Sequence, residues 1–241
     1  MRLCQFGAHG PIYAPDEPAP GIVILHGSEG PMAGWSHRFA AILAAHGFVA
    51  LPLSYGTGDF WGAGPIQDVP IQPMIDAGHE FAAHDWCSGQ VGLFGWSMGG
   101  QLAMLLASLL PATKPYACIA AHAPSDVVMG AFDPAAFHAG KSWRRLEPDA
   151  PRAWVMQGED MRLAPGTDIA VERYQGPMFL SVGLADDVWS PDMTARLAAR
   201  RENAGRPVEL WQAEGQGHGF DFDTEPELWR RLTHFFSTHL R

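Results

Sequence analysis

The sequence predicts an α/β protein with a mostly parallel central sheet and helices on both of its faces. Three observations carry this. Short apolar runs ending in turns alternate with amphipathic stretches along nearly the whole chain, the rhythm of a sheet covered on both sides. Gly95-Trp96-Ser97-Met98-Gly99 lies between one such run and a strongly apolar stretch of helical length. Polar motifs also follow the apolar runs, and open α/β sheets keep their ligand sites at the carboxyl ends of the strands. A hydrophobic fraction of 47% against 17% charged residues is enough for one sizeable core, so residues 1–241 are expected to form a single domain.

Taken in order, Ile22 to Leu25 reads as a buried strand ended by the His26-Gly27 turn. Trp35 to His46 follows as a helix, with Phe39, Ile42 and Leu43 at helical spacing and Gly47 as its stop. Phe48 to Leu53 is the next strand, and the Gly- and Pro-rich stretch from Ser54 to Pro73 a loop. Met74 to Asp85 reads as a helix, Gln90 to Phe94 as a strand, Met98 to Leu110 as an apolar helix and Tyr116 to Ala121 as a strand. Met178 to Val182 is another strand. Ser190 as N-cap, Pro191 in the first turn and Asp192 then open a helix running to about Asn203, before Gly205. Val208 to Trp211 is the last strand, and Thr224 and Glu227 have capping-box spacing for a final helix toward Leu240. The region 129–176 falls outside the rhythm. It holds Trp143, Trp154, Tyr174, Lys141, Arg144, Arg145, Arg152 and Arg162, and reads either as a surface insertion or as a lid shaping a pocket.

Composition excludes several functions. A formal charge of −10 repels nucleic acid and anionic membrane surfaces at long range, so neither is an expected partner. Cys4, Cys87 and Cys118 are far apart, odd in number and lack CxxC spacing, which argues against a disulfide framework or a metal site. The first residues lack the continuous apolar stretch of a signal peptide, and no segment approaches a membrane span. A soluble, cytoplasmic protein is expected. Oligomeric state is not legible.

The chemistry lies at the strand ends. A serine hydroxyl becomes a nucleophile when something removes its proton and something else holds it exposed. The segment from Val91 to Gly100 supplies the second requirement, because Ser97 sits on a sharp strand–turn–helix flanked by Gly95 and Gly99, the G-x-S-x-G elbow. The base is expected after the last strand, where His218 lies in Gly217-His218-Gly219. The acid is expected after the strand before it, where Asp186 and Asp187 follow Gly183; Asp186 is preferred. Ser97, Asp186, His218 is the chain order of one of the known triad types, unlike those of chymotrypsin or subtilisin. For the oxyanion, one backbone N–H is expected from Ser28 in His26-Gly27-Ser28-Glu29-Gly30 and another from Met98, at the start of a helix. Trp143, Arg144 and Arg145 are candidate substrate-binding residues, as an aromatic wall and as partners for a phosphate or carboxylate. No metal or organic cofactor is implied by the spacing of any ligands.

On these motifs the chain resembles the dienelactone-hydrolase-like branch of the α/β-hydrolases. It is most similar to the catalytic domain of acyl-CoA thioesterases and bile-acid-CoA:amino acid N-acyltransferases. Carrying the likeness are His26 to Gly30, Gly95 to Gly100, Ala123 to Val128, Val171 to Pro177, the G-x-x-D-x-x-W spacing from Gly183 to Trp189, and Gly217 to Gly219. The resemblance implies the α/β-hydrolase fold, Ser97, Asp186 and His218 as triad, and a small-molecule ester or thioester as substrate. The chain departs from it in three ways. Only a short stretch precedes Ile22, so the N-terminal β-sandwich of those thioesterases is not expected. Serine replaces the elbow cysteine of dienelactone hydrolases, and arginines for a CoA leaving group cluster only in 129–176. Acyl transfer to an amine needs the same triad and stays open, as does a non-catalytic binding protein that has kept it.

Overall fold

The computed structural model describes residues 1–30, 35–55, 64–110, 115–139, 145–147 and 149–240. In chain order its elements are β1 (Arg2–Gln5), β2 (Pro11–Ala14), β3 (Ala19–Leu25), α1 (Trp35–Ala45), β4 (Val49–Leu53), β5 (Val69–Pro70) and α2 (Gln72–Ala82). Then come β6 (Cys87–Trp96), α3 (Met98–Leu109), β7 (Tyr116–His122), α4 (Pro134–His138), β8 (Trp154–Val155), β9 (Met178–Gly183), α5 (Pro191–Asn203), β10 (Val208–Ala213) and α6 (Glu225–His239). Eight strands make one sheet in the order β1-β2-β4-β3-β6-β7-β9-β10. From β4 to β10 every neighbouring pair is parallel; β1 and β2 join antiparallel at the edge. This is the α/β-hydrolase architecture.

The alternation of side chains along each strand builds two apolar layers. Val23, Leu25, Leu93, Ile119, Ala121 and Leu180 face the layer that contains Met74 and Ile75 of α2, Leu102 and Leu106 of α3, and Leu197 of α5. Ile22, Ile24, Phe94, Ala120 and Phe179 face the other, closed by Phe39 and Leu43 of α1 and by Leu228, Leu232 and Phe236 of α6. The registers then align the carboxyl ends of the central strands. Leu25 pairs with Gly95, Trp96 with His122, and His122 with Ser181, while Gly183 pairs with Ala213 at the end of β10. The loops that leave this edge hold the candidate site.

Three sequence expectations need correction. The β1–β2 hairpin was not anticipated, because β1 is mostly exposed and shows no apolar period. The capping box at Thr224 and Glu227 does not form. Thr224 has helical dihedrals and no side-chain cap; Asp221 Oδ1 accepts its N–H at 2.8 Å, and Glu227 pairs with Arg230 and Arg231. In the irregular region, Trp154 and Tyr174 belong to the core and not to a pocket wall. Trp154 Nε1 donates to Gln101 Oε1 of α3 at 2.8 Å, which gives its polar edge a buried partner. By contrast the N-cap reading of Ser190 holds, with its Oγ accepting the Asp192 N–H at 3.3 Å. Among the described residues no helix is long and apolar enough to cross a membrane.

Arg201 of α5 ties the irregular region to the sheet. Its side chain is fully buried and donates to the carbonyls of Val171, Tyr174, Gly176 and Pro207 at 2.9, 2.8, 2.5 and 2.9 Å. A buried carbonyl left without its donor costs about 1–3 kcal/mol. Arg201→Met is therefore expected to lower stability by at least about 3 kcal/mol. Urea unfolding would show this as a reduced midpoint at unchanged slope, and a midpoint equal to wild type would show that the clamp contributes nothing.

Candidate active site

Ser97 ends the central strand β6 and begins α3 with φ 55° and ψ −118°, a conformation that costs a non-glycine residue free energy. The surroundings hold it there. A Cβ on Gly95 would overlap the Gly99 carbonyl, and one on Gly99 would overlap the carbonyls of Leu25 and His26. Both positions must be glycine for the turn to press against β3. The Ser97 N–H donates to the His122 carbonyl at 3.0 Å, and its side chain points out at the head of the helix.

The structure brings Ser97, His218 and Asp186 together. His218 Nδ1 is 2.8 Å from Asp186 Oδ2, and its Nε2 is 2.9 Å from Ser97 Oγ. The carboxylate accepts, so Nδ1 carries the proton and Nε2 presents its lone pair to the serine O–H. Asp186 Oδ1 accepts the N–H groups of Val188 at 2.9 Å and Trp189 at 3.0 Å. Burial alone would raise its pKa, but the bond and charge of His218, with those two amides, hold it below the ordinary carboxylate value. Asp187 is exposed and makes no bond to the histidine among those described. The two loops are also joined through the backbone, Leu184 N–H to Ala213 O at 2.9 Å and Ala185 N–H to Gln216 O at 2.8 Å.

Ser97 and His218 open onto a pocket of about 720 Å³. Ser28 and Met98, the expected oxyanion donors, lie on its wall beside Phe132, Phe137 and Trp189. Arg145 and Asp187 supply its charge, and Arg145 Nη1 donates to the Val188 carbonyl at 2.8 Å. Trp143 and Arg144 lie outside the described residues.

Sequence reasoning overlooked three neighbours. His26 is buried, stacked on Tyr55 at 3.9 Å, and pushed down to about 4 by burial. Its Nδ1–H donates to the Gly27 carbonyl at 2.7 Å, so it stays neutral and braces the loop. Glu29 folds back to accept the Gly27 N–H at 2.9 Å, and burial raises its pKa against the opposing pull of that amide and of His218. His122, at the end of β7, has its Nε2 3.0 Å from the His218 carbonyl. His26 and Glu29 lie in the His26–Gly30 motif, where the sequence reading uses only the Ser28 amide, and His122 offers only its position after a strand.

Comparison with known proteins is consistent with this geometry. Over 209 residues the chain is 27% identical to mouse acyl-coenzyme A thioesterase 6, covering 83% of this chain and 48% of that protein. It thus spans about half the length of the curated relatives it matches. A Klebsiella pneumoniae structure assigned as a dienelactone hydrolase superposes with a TM-score of 0.68 at 14% identity, covering 98% of this chain and 97% of that one. An esterase of Pyrococcus furiosus does so with a TM-score of 0.65 at 16% identity, covering 93% and 85%. Residues 60–241 match the sequence profile of the prolyl oligopeptidase family, Peptidase_S9. The chain, an α/β-hydrolase by fold, belongs to the prolyl oligopeptidase family.

Proposed function

We propose that this protein is a cytoplasmic serine hydrolase that cleaves a small carboxylic ester or acyl thioester through an acyl-enzyme intermediate. The observation that carries the reading is the continuous relay Asp186–His218–Ser97, with bonds of 2.8 and 2.9 Å, opening into a partly aromatic pocket. A relative named as an acyl-CoA thioesterase and a neighbour named as an esterase support the substrate class. Cys4, Cys87 and Cys118 are free thiols, which suits a reducing compartment.

In this mechanism Ser97 Oγ attacks the acyl carbon as His218 Nε2 takes its proton. Asp186 fixes the imidazole tautomer and stabilises the imidazolium. The Met98 amide, in the first turn of α3 where no helical partner exists, and the Ser28 amide would receive the oxyanion. The imidazolium then protonates the departing alcohol or thiol, and His218 activates the water that releases the acid. The 129–176 region contributes Phe132, Phe137 and Arg145 to one wall, the part of a lid in this reading.

Ser97→Ala is expected to stay folded but lose turnover of p-nitrophenyl esters on the order of 10⁴-fold or more, together with fluorophosphonate labelling. Undiminished turnover would remove Ser97 from the chemistry. Asp186→Asn should lower kcat about 10³- to 10⁴-fold, because the tautomer is no longer enforced, while Asp187→Asn stays near wild type; steady-state kinetics of the pair decide between the two carboxylates. Arg145→Ala should raise KM for an acyl-CoA about tenfold, one charge-assisted contact at about 1.4 kcal/mol. KM for an uncharged ester should barely move, and equal changes would argue against an anionic leaving group.

A further inference from the structure

We infer that His122 is a positioning residue that sets the distance between Ser97 and His218, a conclusion that rests on the serine-hydrolase reading above. Its position in the sheet is the starting point. His122 is the last residue of β7, in register with Trp96 of β6 on one side and Ser181 of β9 on the other. It therefore stands between the strand that delivers the serine and the strand that delivers the acid. Its own backbone carbonyl accepts the Ser97 N–H at 3.0 Å, while its ring reaches the backbone of His218. One residue thus holds the main chain of both groups between which the proton must move.

The proton positions of the ring follow from its partners. The His218 carbonyl only accepts, so the 3.0 Å contact is Nε2–H donating to it. Nδ1 of the neutral ring is then a lone pair, and the Ser181 O–H donates to it at 2.9 Å. The ring has no solvent exposure. Trp96 lies against it with centroids 4.0 Å apart, and the edge of Phe220, two residues beyond His218, meets it at 4.5 Å. Burial pushes the ring down to about 3, so it remains neutral, with this one tautomer, wherever a serine hydrolase works.

The chain of donors runs Ser181 to His122 to the His218 main chain. The loop carrying His218 leaves β10 at Ala213; besides the His218 ring bonds to Asp186 and Ser97, its tethers include those at Gln216, through Ala213, Ala185 and Asp221. Among the described residues, the His122 bond is the one that grips the main-chain carbonyl of His218. Loss of it frees the loop by a fraction of an ångström to about one ångström, a displacement that costs catalysis up to about 10²-fold.

The test compares full-length wild type with His122→Phe, which keeps the ring volume between Trp96 and Phe220, and with His122→Gln, whose amide N–H is able to donate to the same carbonyl. On p-nitrophenyl butyrate, His122→Phe is expected to lower kcat roughly 10- to 100-fold with KM within about twofold. Its rate of fluorophosphonate labelling should fall in parallel, and His122→Gln should restore most of both. In the wild type, the ring ¹⁵N spectrum should show His122 protonated at Nε2 and not at Nδ1, unchanged between about pH 8 and pH 5. Should His122→Phe fail to fold, the His122→Gln kinetics and this spectrum still decide. A wild-type rate in His122→Phe, a fall in its KM-dependent term alone, or an Nδ1-protonated ring each overturns the inference while leaving the hydrolase reading intact. A wild type that neither turns over esters nor labels overturns both.

Discussion

At the end of β6 the chain changes from strand to helix within a single residue, and that reversal is possible only because the backbones of β3, β6 and α3 come into direct contact. Gly95 and Gly99 remove the side chains that would keep them apart. The consequence is a serine held at φ 55°, lifted above the sheet with its amide tied to β7. All other parts of the site are placed relative to this point. The parallel registers bring the ends of β3, β7 and β9 level with it, and the loops after β9 and β10 then meet over it.

Electrostatics follow from the same crowding. Two histidines near the serine, His26 and His122, are buried and kept neutral, each with one ring nitrogen donating to a carbonyl. They act as rigid struts that add no charge. The carboxylate of Asp186 is equally enclosed but keeps its charge, since two amides and the base itself share it. An ionised Asp186 beside His218, with neutral imidazoles as supports, suits the proposed mechanism, in which a positive charge appears transiently on His218. The neighbouring Asp187 faces the pocket, where its charge acts on whatever binds.

Much of this was legible in the sequence because the relevant residues follow apolar runs. The alternation of strands and helices, the elbow at Ser97 and the histidine at His218 each carry a local pattern. The choice between Asp186 and Asp187 is barely local: they stand three and four residues beyond Gly183, and the difference lies in which one turns inward onto the Val188 and Trp189 amides. Trp154 and Tyr174 lie in the stretch that reads as either a surface insertion or a lid, yet they serve the core, and their polar atoms reach Gln101 and the Tyr116 carbonyl far away in the chain. His122 was unreadable for a further reason. Its partner is a main-chain carbonyl 96 residues on, and a carbonyl has no sequence signature.

The separation of the parts along the chain has a consequence for how the molecule comes into being. Ser97 and His218 are 121 residues apart, and the acid loop is a further long-range partner. Parallel strands with such distant pairings form late, after the entropy of closing long loops has been overcome. During synthesis the elbow emerges well before β9 and β10, so the strained serine exists for a time without a base. Under the proposed mechanism, a nascent or partly folded chain would be chemically silent, with reactivity appearing only when the last two strands dock. The Ser97 hydroxyl would then be armed by completion of the fold itself, with no reactive nucleophile on an unfinished protein.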